Sequence, residues 1–147
     1  ALEELGGDVQ VVATLHADWL TDKAYNVTTD LINSGTEFNY IFANNDMMAQ
    51  GCYNALKDAG KENIPIVSTG GSPDGFKMLQ EAANMTAPVS IQGVKTFMNL
   101  YNKVALGEDP AEKFTALPVI PVSADDTSSY IAWDDYAAAY KYLGENK

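Results

Sequence analysis

The sequence predicts an α/β fold in which a parallel β-sheet is flanked by helices on both faces. Short apolar runs, often β-branched, alternate along the chain with longer segments in which apolar residues recur every three or four positions. Strands of a purely parallel sheet are buried on both faces and are therefore short and hydrophobic, as these runs are. Strand and helix patterns follow one another throughout, which is the order expected when each strand connects to the next through a helix.

Four apolar runs are the basis of the strand prediction. Each contains valine, isoleucine or aromatic residues and is bounded by polar or glycine-rich sequence. The predicted strands are residues 9–15, 40–43, 64–68 and 89–92. A last extended segment, residues 117–122, contains Pro118 and Pro121, which would each remove a hydrogen bond from a central strand. We therefore predict an edge strand or a hinge crossing there.

The helix prediction depends on apolar spacing and on the glycines that follow. In residues 22–34, Ala24, Val27 and Leu31 share one helix face, and Gly35 follows as a stop signal. The predicted helices are residues 22–34, 46–59, 73–84, 94–106 and 134–143, and residues 1–5 are predicted to be the last turn of an earlier helix.

The length of the chain and the order of its elements predict one lobe of a larger protein. The 147 residues suffice for one domain with a core of ordinary size. The first predicted element is the end of a helix with no strand before it, which is unusual for a complete α/β domain. We expect residues 1–147 to form a single α/β lobe, a fragment of a two-lobed protein, in which residues 117–147 supply a hinge or crossing segment and a C-terminal helix.

Charge and composition exclude several classes of partner. The chain carries 20 acidic and 9 basic residues, a formal net charge of −11, whereas nucleic acids and anionic membranes are bound by basic surfaces. No apolar run is long enough to span a bilayer, and no signal peptide is recognisable at the start, so we expect any export signal to have been removed. Cys52 is the only cysteine, and we expect it to be a small buried hydrophobic residue rather than a reactive thiol.

The sequence lacks the residue sets of the common catalytic and metal sites. His16 is the only histidine, so a zinc site is not expected, and there is no G-x-S-x-G nucleophile elbow. The glycine-rich residues 69–75 match neither the dinucleotide-binding fingerprint nor the P-loop. We expect no catalytic residue, no metal and no cofactor. A flavodoxin-like enzyme is the weaker alternative, because neither a nucleophile–base pair nor a cofactor loop can be assembled.

Polar and aromatic residues follow the predicted strands where each strand ends. Trp19 follows the first strand, and Asn45 and Asp46 follow the second. Gly70 follows the third strand, and Gln92 ends the fourth. Because ligands of open α/β sheets bind in the crevice outside the carboxyl ends of the strands, these five residues are the predicted ligand-binding residues.

Each of these residues also has a purely structural interpretation. The Trp19 indole could stack on the apolar face of a sugar or cover the edge of the core, and the residues alone favour neither. Asn45 or Asp46 could cap the following helix, but one cap suffices, so we expect at least one of residues 44–46 to hydrogen-bond a ligand. The glycine-rich turn is better explained as an ordinary helix start than as a phosphate site. Gln92 could equally be a solvated loop residue.

Four stretches of sequence resemble one family, the type I periplasmic sugar-binding proteins of the ribose-binding kind. They are H-A-D-W followed by D-K-A-Y-N-V-T-T-D-L-I, F-A-N-N-D-M-M-A-Q-G-C-Y-N-A-L-K-D-A-G-K from residue 42, I-P-I-V-S-T-G-G-S-P-D-G-F-K-M-L from residue 64, and K-V-A-L-G-E-D-P from residue 103. The spacing between the stretches also matches, and the resemblance covers most of the chain.

The resemblance implies one lobe, of flavodoxin-like topology, from a two-lobed receptor that closes on a sugar or sugar-like solute. Such a receptor presents its solute to an ABC permease or to a membrane sensor of a chemosensory system. The N-terminal lobe and the first strand of this lobe would precede Ala1. By position, Trp19 matches the aromatic residue that stacks on the sugar, and Asn45 matches the asparagine that bonds its hydroxyls. The implied location is the periplasm or, with a lipid anchor, the outside of a bacterial cell.

The chain departs from the family pattern at two positions. Gly70 stands where the family has a ligand-binding aspartate, which implies a ligand with fewer hydroxyls to donate or with its own negative charge. Gly70→Asp should then shift preference toward a neutral monosaccharide, unless Gly70 is required for a positive φ. The loop between Gln92 and Val94 is shortened, and Gln92 is the best match for the family's glutamine.

The same fold is also compatible with a second function. The chain could be the effector-binding domain of a sensor or of a lac-repressor-type transcriptional regulator, in which case the location would be cytoplasmic. A helix-turn-helix upstream of Ala1 would identify the regulator, and a signal peptide there would identify the receptor.

Overall fold

A four-stranded sheet organises the chain. The computed structural model describes residues 9–81, 84–88, 90–109, 122–123, 125, 127–128 and 130–145. The strands β1 (Ile41–Phe42), β2 (Ile66–Gly70), β3 (Asn84–Pro88) and β4 (Val122–Ser123) lie side by side in that order. β1, β2 and β3 are parallel, so the predicted α/β fold with a parallel sheet is confirmed. β4 runs antiparallel to β3, a reversal that was not predicted.

Five α-helices accompany the sheet in the described part of the chain. They are α1 (Thr21–Asn33), α2 (Asp46–Asp58), α3 (Pro73–Glu81), α4 (Ser90–Tyr101) and α5 (Tyr136–Glu145), and a π-helical turn, Asn102–Leu106, extends α4. None of these helices is long and apolar enough to cross a membrane. Each predicted helix from residue 22 onward is present with ends shifted by a few residues.

Two predicted strands are wrong. Residues 9–17 have no regular secondary structure and pair with no strand in the described part of the chain, so the predicted strand 9–15 is not present. Residues 89–92 were predicted as a strand, but the strand is Asn84–Pro88 and α4 already begins at Ser90. Asn84–Pro88 contains few apolar residues, so its sequence gave only a weak strand signal. Gln92 therefore lies in the first turn of α4 rather than at a strand end.

The C-terminal prediction is confirmed only where the structure describes it. Val122 lies in the edge strand β4, in agreement with the predicted edge strand, and its side chain is 1% exposed. Residues 117–121 of the predicted segment lie outside the described residues. The predicted helix 134–143 corresponds to α5.

The buried core brings together side chains of α1, α2, α3 and the sheet. Its fully buried side chains include Leu56 from α2, Ile66 from β2 and Met78 from α3. Cys52 is buried as predicted, its Sγ accepts a hydrogen bond from Thr28 Oγ1 at 3.3 Å, and burial raises the pKa of the thiol. The thiol is therefore part of the α1–α2 interface rather than a reactive group.

Helices α1 and α2 are in close contact at Gly51. A Cβ atom at this position would lie 2.2 Å from the backbone oxygen of Thr21 and 2.9 Å from the Cβ of Ala24. Both obstacles are parts of α1 that cannot rotate away, so only glycine permits this crossing.

We expect Gly51→Ala to lower the free energy of unfolding by about 1–3 kcal/mol, because the added methyl group pushes α1 away from α2. Gly144→Ala in α5 is the matched control, since a Cβ there meets nothing within 4 Å. The control should be neutral or stabilising by up to about 1 kcal/mol through helix propensity. Urea denaturation of both variants measures the difference, and equal effects would contradict the close crossing.

Candidate functional site

The carboxyl ends of three parallel strands meet at one edge of the sheet. β1 leads into residues 43–46, β2 leads into the turn 70–72, and β3 leads into the start of α4. The predicted site residues Asn45, Asp46 and Gly70 therefore share this edge. Gln92 lies two residues beyond the start of α4, and only its backbone position is described.

Asn45 is the N-cap of α2. Its backbone is extended (φ −152°, ψ 167°), and its Oδ1 accepts a hydrogen bond from the N–H of Met48 at 2.8 Å. The predicted cap is thereby confirmed. The Nδ2 group of Asn45 has no hydrogen-bond partner among the described residues, and the side chain is half-buried. One amide atom thus fixes the helix, while the other is available to donate a hydrogen bond at the sheet edge.

Asp46 connects the end of β1 to the turn that follows β2. Its side chain is 3% exposed. Its Oδ1 accepts from Ser68 Oγ at 2.7 Å, and its Oδ2 accepts from the N–H and Oγ of Ser72 at 2.8 and 3.0 Å. Burial of a carboxylate is costly unless such donors surround it, and its place at the start of α2 adds a favourable helix dipole. Asp46 is therefore a structural clamp, and its predicted contact with ligand remains a prediction.

Gly70 and Gly75 leave the room that the Asp46 carboxylate occupies. A Cβ atom would lie 2.8 Å from Asp46 Oδ2 at Gly70 and 2.4 Å from it at Gly75. Gly70 also has φ +143°, a conformation that side-chain-bearing residues rarely adopt. Of the two alternatives for Gly70, this geometry favours the conformational one, because an aspartate there would be strained and would meet the carboxylate of Asp46.

The C-terminal segment braces the same turn. The Tyr130 hydroxyl donates to the carbonyl of Ser72, and the Tyr130 ring packs on Phe76 with centroids 4.6 Å apart. The N–H of Trp133 donates to the carbonyl of Gly71 at 2.8 Å. Burial, followed by the nearby Asp46 carboxylate, raises the pKa of Tyr130, so its phenol stays a donor. No local sequence pattern predicts these contacts, since they join residues far apart in the chain.

Trp19 lies in a tight turn that precedes α1. The N–H of Leu20 donates to the carbonyl of Ala17 at 2.8 Å, and the two central residues, Asp18 and Trp19, have φ of +48° and +64°. This is the pattern of a type I′ turn, which normally uses Gly, Asn or Asp. The Trp19 side chain is 61% exposed, so core packing does not explain its presence in a strained position. Coverage of the core, one of its two predicted roles, is therefore not its main task.

The structure brings four of the predicted site residues to the same side of the molecule but not into one cluster. Asn45, Asp46 and Gly70 are neighbours around the Ser72 turn, whereas Trp19 lines a groove that it shares with Asn44. Within the described residues, no group of three His, Cys, Asp or Glu side chains could hold a metal ion. Contact of these residues with a ligand stays a prediction.

The chain belongs to the periplasmic binding protein family. It matches the family model described as periplasmic binding protein domain over residues 1–108. It is 32% identical over 110 residues to the ribose import binding protein RbsB of Escherichia coli K12, an alignment that covers 71% of this chain and 36% of that protein. It is 37% identical over 83 residues to the D-allose-binding periplasmic protein of the same organism, covering 56% of this chain and 26% of that protein. The resemblance inferred from the sequence is thereby confirmed.

Solved structures show the same fold. An ABC transporter periplasmic solute binding protein from Actinobacillus succinogenes with bound D-allose matches with a TM-score of 0.73 at 24% identity, covering 84% of this chain and 44% of that one. A solute binding protein from Bacillus halodurans with bound myo-inositol matches with a TM-score of 0.70 at 24% identity, covering 89% of this chain and 44% of that one. These are type I periplasmic binding proteins, and this chain spans less than half of their length.

Substitutions at the two glycines separate steric from conformational constraint. We expect Gly75→Ala to lower the free energy of unfolding by about 1–3 kcal/mol, because its methyl group meets Asp46. In an Asp46→Ala background the same change should be neutral or stabilising, since Gly75 is helical. Gly70→Ala should remain costly in both backgrounds because of its φ. Double-mutant cycles by urea denaturation measure these couplings; an equal cost of Gly75→Ala in both backgrounds would contradict the proposed contact.

The strained turn gives a prediction for Trp19. A residue with a side chain in the left-handed region costs roughly 1–2 kcal/mol. We therefore expect Trp19→Gly to be more stable than Trp19→Ala by about 1 kcal/mol, even though both remove the indole. Thermal denaturation of the two variants provides the measurement. An alanine variant as stable as the glycine variant would show that position 19 is not held in this conformation.

Proposed function

We propose that the chain forms one lobe of a receptor that binds a neutral sugar or sugar-like polyol and delivers it to an ABC importer. The observation that carries this proposal is the side-chain amide of Asn45 at the carboxyl edge of the sheet, in a chain of the periplasmic binding protein family. The Oδ1 of this amide caps α2, while its Nδ2 has no hydrogen-bond partner among the described residues. Proteins of this family named above are sugar-binding transport proteins rather than enzymes. A periplasmic or lipid-anchored location goes with this role.

The charges around the β2–α3 turn support a neutral ligand. The N–H of Ser72, which could have bound an anion at the start of α3, already donates to Asp46 Oδ2. The Asp46 carboxylate and Asp74 in the first turn of α3 would both repel a second anion. The absence of a carboxylate at Gly70 implied either a ligand with fewer hydroxyls to donate or a negatively charged ligand. The negatively charged ligand is therefore the less favoured of the two.

The exposed indole and the amide suit the two kinds of surface that a polyol presents. The flat C–H face of a sugar ring packs on an aromatic ring, and the Trp19 ring is open to such contact. Hydroxyl groups both donate and accept hydrogen bonds, as an amide does. Ligands in the names of the relatives and neighbours include the sugar D-allose and the polyols myo-inositol and xylitol, all three uncharged and rich in hydroxyl groups.

The proposal is tested by calorimetry on the natural polypeptide that contains this chain, titrated with ribose, D-allose, xylitol and myo-inositol. We expect one of these to bind with micromolar or tighter affinity. The 147-residue chain alone should bind far more weakly, because a two-lobed receptor encloses its solute between the lobes by hinge closure. Equally tight binding by the single lobe would contradict the two-lobed receptor, and a helix-turn-helix upstream of residue 1 would favour the regulator instead.

Asn45→Asp separates helix capping from ligand binding. Aspartate keeps the cap on α2 but removes the Nδ2 donor, so the melting temperature should be unchanged while polyol affinity falls about tenfold, the effect of one lost hydrogen bond. Asn54→Asp, which adds the same charge at an exposed residue two turns along α2, is the control and should keep its affinity. Equal affinity losses in the two variants would assign the effect to charge rather than to the Asn45 amide.

A further inference from the structure

The C-terminal residues 130–133 contact the turn that follows β2. The N–H of Trp133 donates to the carbonyl of Gly71 at 2.8 Å, and the Tyr130 hydroxyl donates to the carbonyl of Ser72. Two consecutive carbonyl groups of the turn thus have donors in the same short segment. Tyr130 lies 58 positions after Ser72 in the chain, so these bonds come from tertiary structure and not from the turn itself.

The turn needs such external bonds because its own sequence does little to hold it. Gly70 and Gly71 have φ of +143° and +78°, and glycine adopts positive and negative φ about equally readily. Without other contacts, a pair of glycines therefore leaves the backbone many conformations. Hydrogen bonds from outside the turn select the one in which the N–H of Ser72 reaches Asp46.

The peptide unit between Gly71 and Ser72 connects the C-terminal segment to Asp46. The carbonyl and the N–H of a trans peptide unit point in opposite directions. In this unit the carbonyl accepts from Trp133, and the N–H donates to Asp46 Oδ2 at 2.8 Å. The unit therefore lies between the two partners, and a displacement on one side changes the hydrogen bond on the other.

The polar groups of Ser72 join Tyr130 to the same carboxylate. Its Oγ donates to Asp46 Oδ2 at 3.0 Å and accepts from the N–H of Gly75 at 2.9 Å. Its carbonyl accepts from the N–H of Phe76 at 3.0 Å as well as from Tyr130. A carbonyl oxygen has two lone pairs, so both are used. The position of Ser72 is therefore set jointly by α3, Asp46 and Tyr130.

We propose that the Tyr130 hydroxyl and the backbone N–H of Trp133 are positioning groups for the side-chain amide of Asn45, an inference that rests on the proposed function of this amide as a ligand contact. Both groups hold the Gly71–Ser72 peptide, which holds the carboxylate of Asp46, and Asp46 adjoins Asn45 at the start of α2. Loss of either group lets the turn and Asp46 move, and the Nδ2 of Asn45 moves with them.

NMR of the natural polypeptide without ligand tests the positioning directly. Tyr130→Phe keeps the ring that packs on Phe76 but removes the hydroxyl. We expect the resonances of the Asn45 side-chain amide and of the Met48 N–H, which donates to it, to shift. Tyr140→Phe, at a residue of α5 that is 62% exposed, is the matched control and should leave both in place. Unshifted resonances in Tyr130→Phe would overturn the inference, whichever ligand is bound.

Affinity separates positioning from a purely structural role. Well below the melting temperature each variant is fully folded, so a loss of stability alone leaves its affinity unchanged. We expect Tyr130→Phe to bind the polyol about three- to tenfold more weakly than the wild type, the effect of one hydrogen bond, and Tyr140→Phe to bind normally. A lower melting temperature with unchanged affinity would overturn the inference. Failure of the wild type to bind any polyol would instead contradict the proposed function, while the Asn45 resonances still decide the positioning.

Trp133 offers a second matched pair of variants. It is the second residue of a turn in which the N–H of Asp135 donates to the carbonyl of Ala132 at 3.0 Å, a position that favours proline. Trp133→Pro and Trp133→Ala both remove the exposed indole, but only proline removes the N–H. We expect the proline variant to bind the polyol about three- to tenfold more weakly than the alanine variant. Equal affinities would contradict the role of this N–H, and the Tyr130 variants decide the inference where the proline variant does not fold.

Discussion

The buried carboxylate of Asp46 is the interaction on which the candidate site depends. It receives three hydrogen bonds from Ser68 and Ser72, and two glycines leave the space for it. These bonds join the end of β1, the end of β2 and the start of α3 into one unit. Because a buried carboxylate tolerates the loss of such donors poorly, the unit has one arrangement rather than several. The position of Asn45, one residue earlier, follows from it.

The two halves of the proposed site differ in how firmly they are held. Asn45 is fixed by its cap to α2 and by the clamp beside it, and the Ser72 turn is braced from outside by Tyr130 and Trp133. Trp19 instead lies on an exposed, strained turn and lines the groove beside β1.

Local chemistry explains which parts of the fold the sequence predicts. Asn45 and Asp46 directly follow an apolar run and so predict the start of α2. The helix ends are predicted by Gly35, Gly60 and Gly107, which all have positive φ. Residues 9–15 have strand-forming composition, but a strand also needs a neighbour. Asn84–Pro88 shows the converse, since pairing with β2 makes a strand of a weakly apolar sequence.

The structural role of the site residues was less predictable. The sequence places Asn45 and Asp46 at a strand end. It does not reveal that Asp46 points inward and accepts hydrogen bonds from Ser68 and Ser72, which lie 22 and 26 positions later in the chain. According to the family pattern, Gly70 stands in place of an aspartate that would contact the ligand. The structure shows instead that the carboxylate of Asp46 packs against this glycine. Contacts of Tyr130 and Trp133 with the turn depend on tertiary packing, for which no local pattern exists.

The central claim is that the carboxyl edge of the sheet, with Asn45 and Trp19, is the ligand-binding surface. Its most direct test is a titration of the natural polypeptide with its polyol, followed by NMR of the side-chain amide of Asn45 and the indole N–H of Trp19. We expect both resonances to shift and to saturate together with the ligand, while the amides of α5 far from the turn remain in place. Saturation of binding without a shift in either resonance would contradict the account.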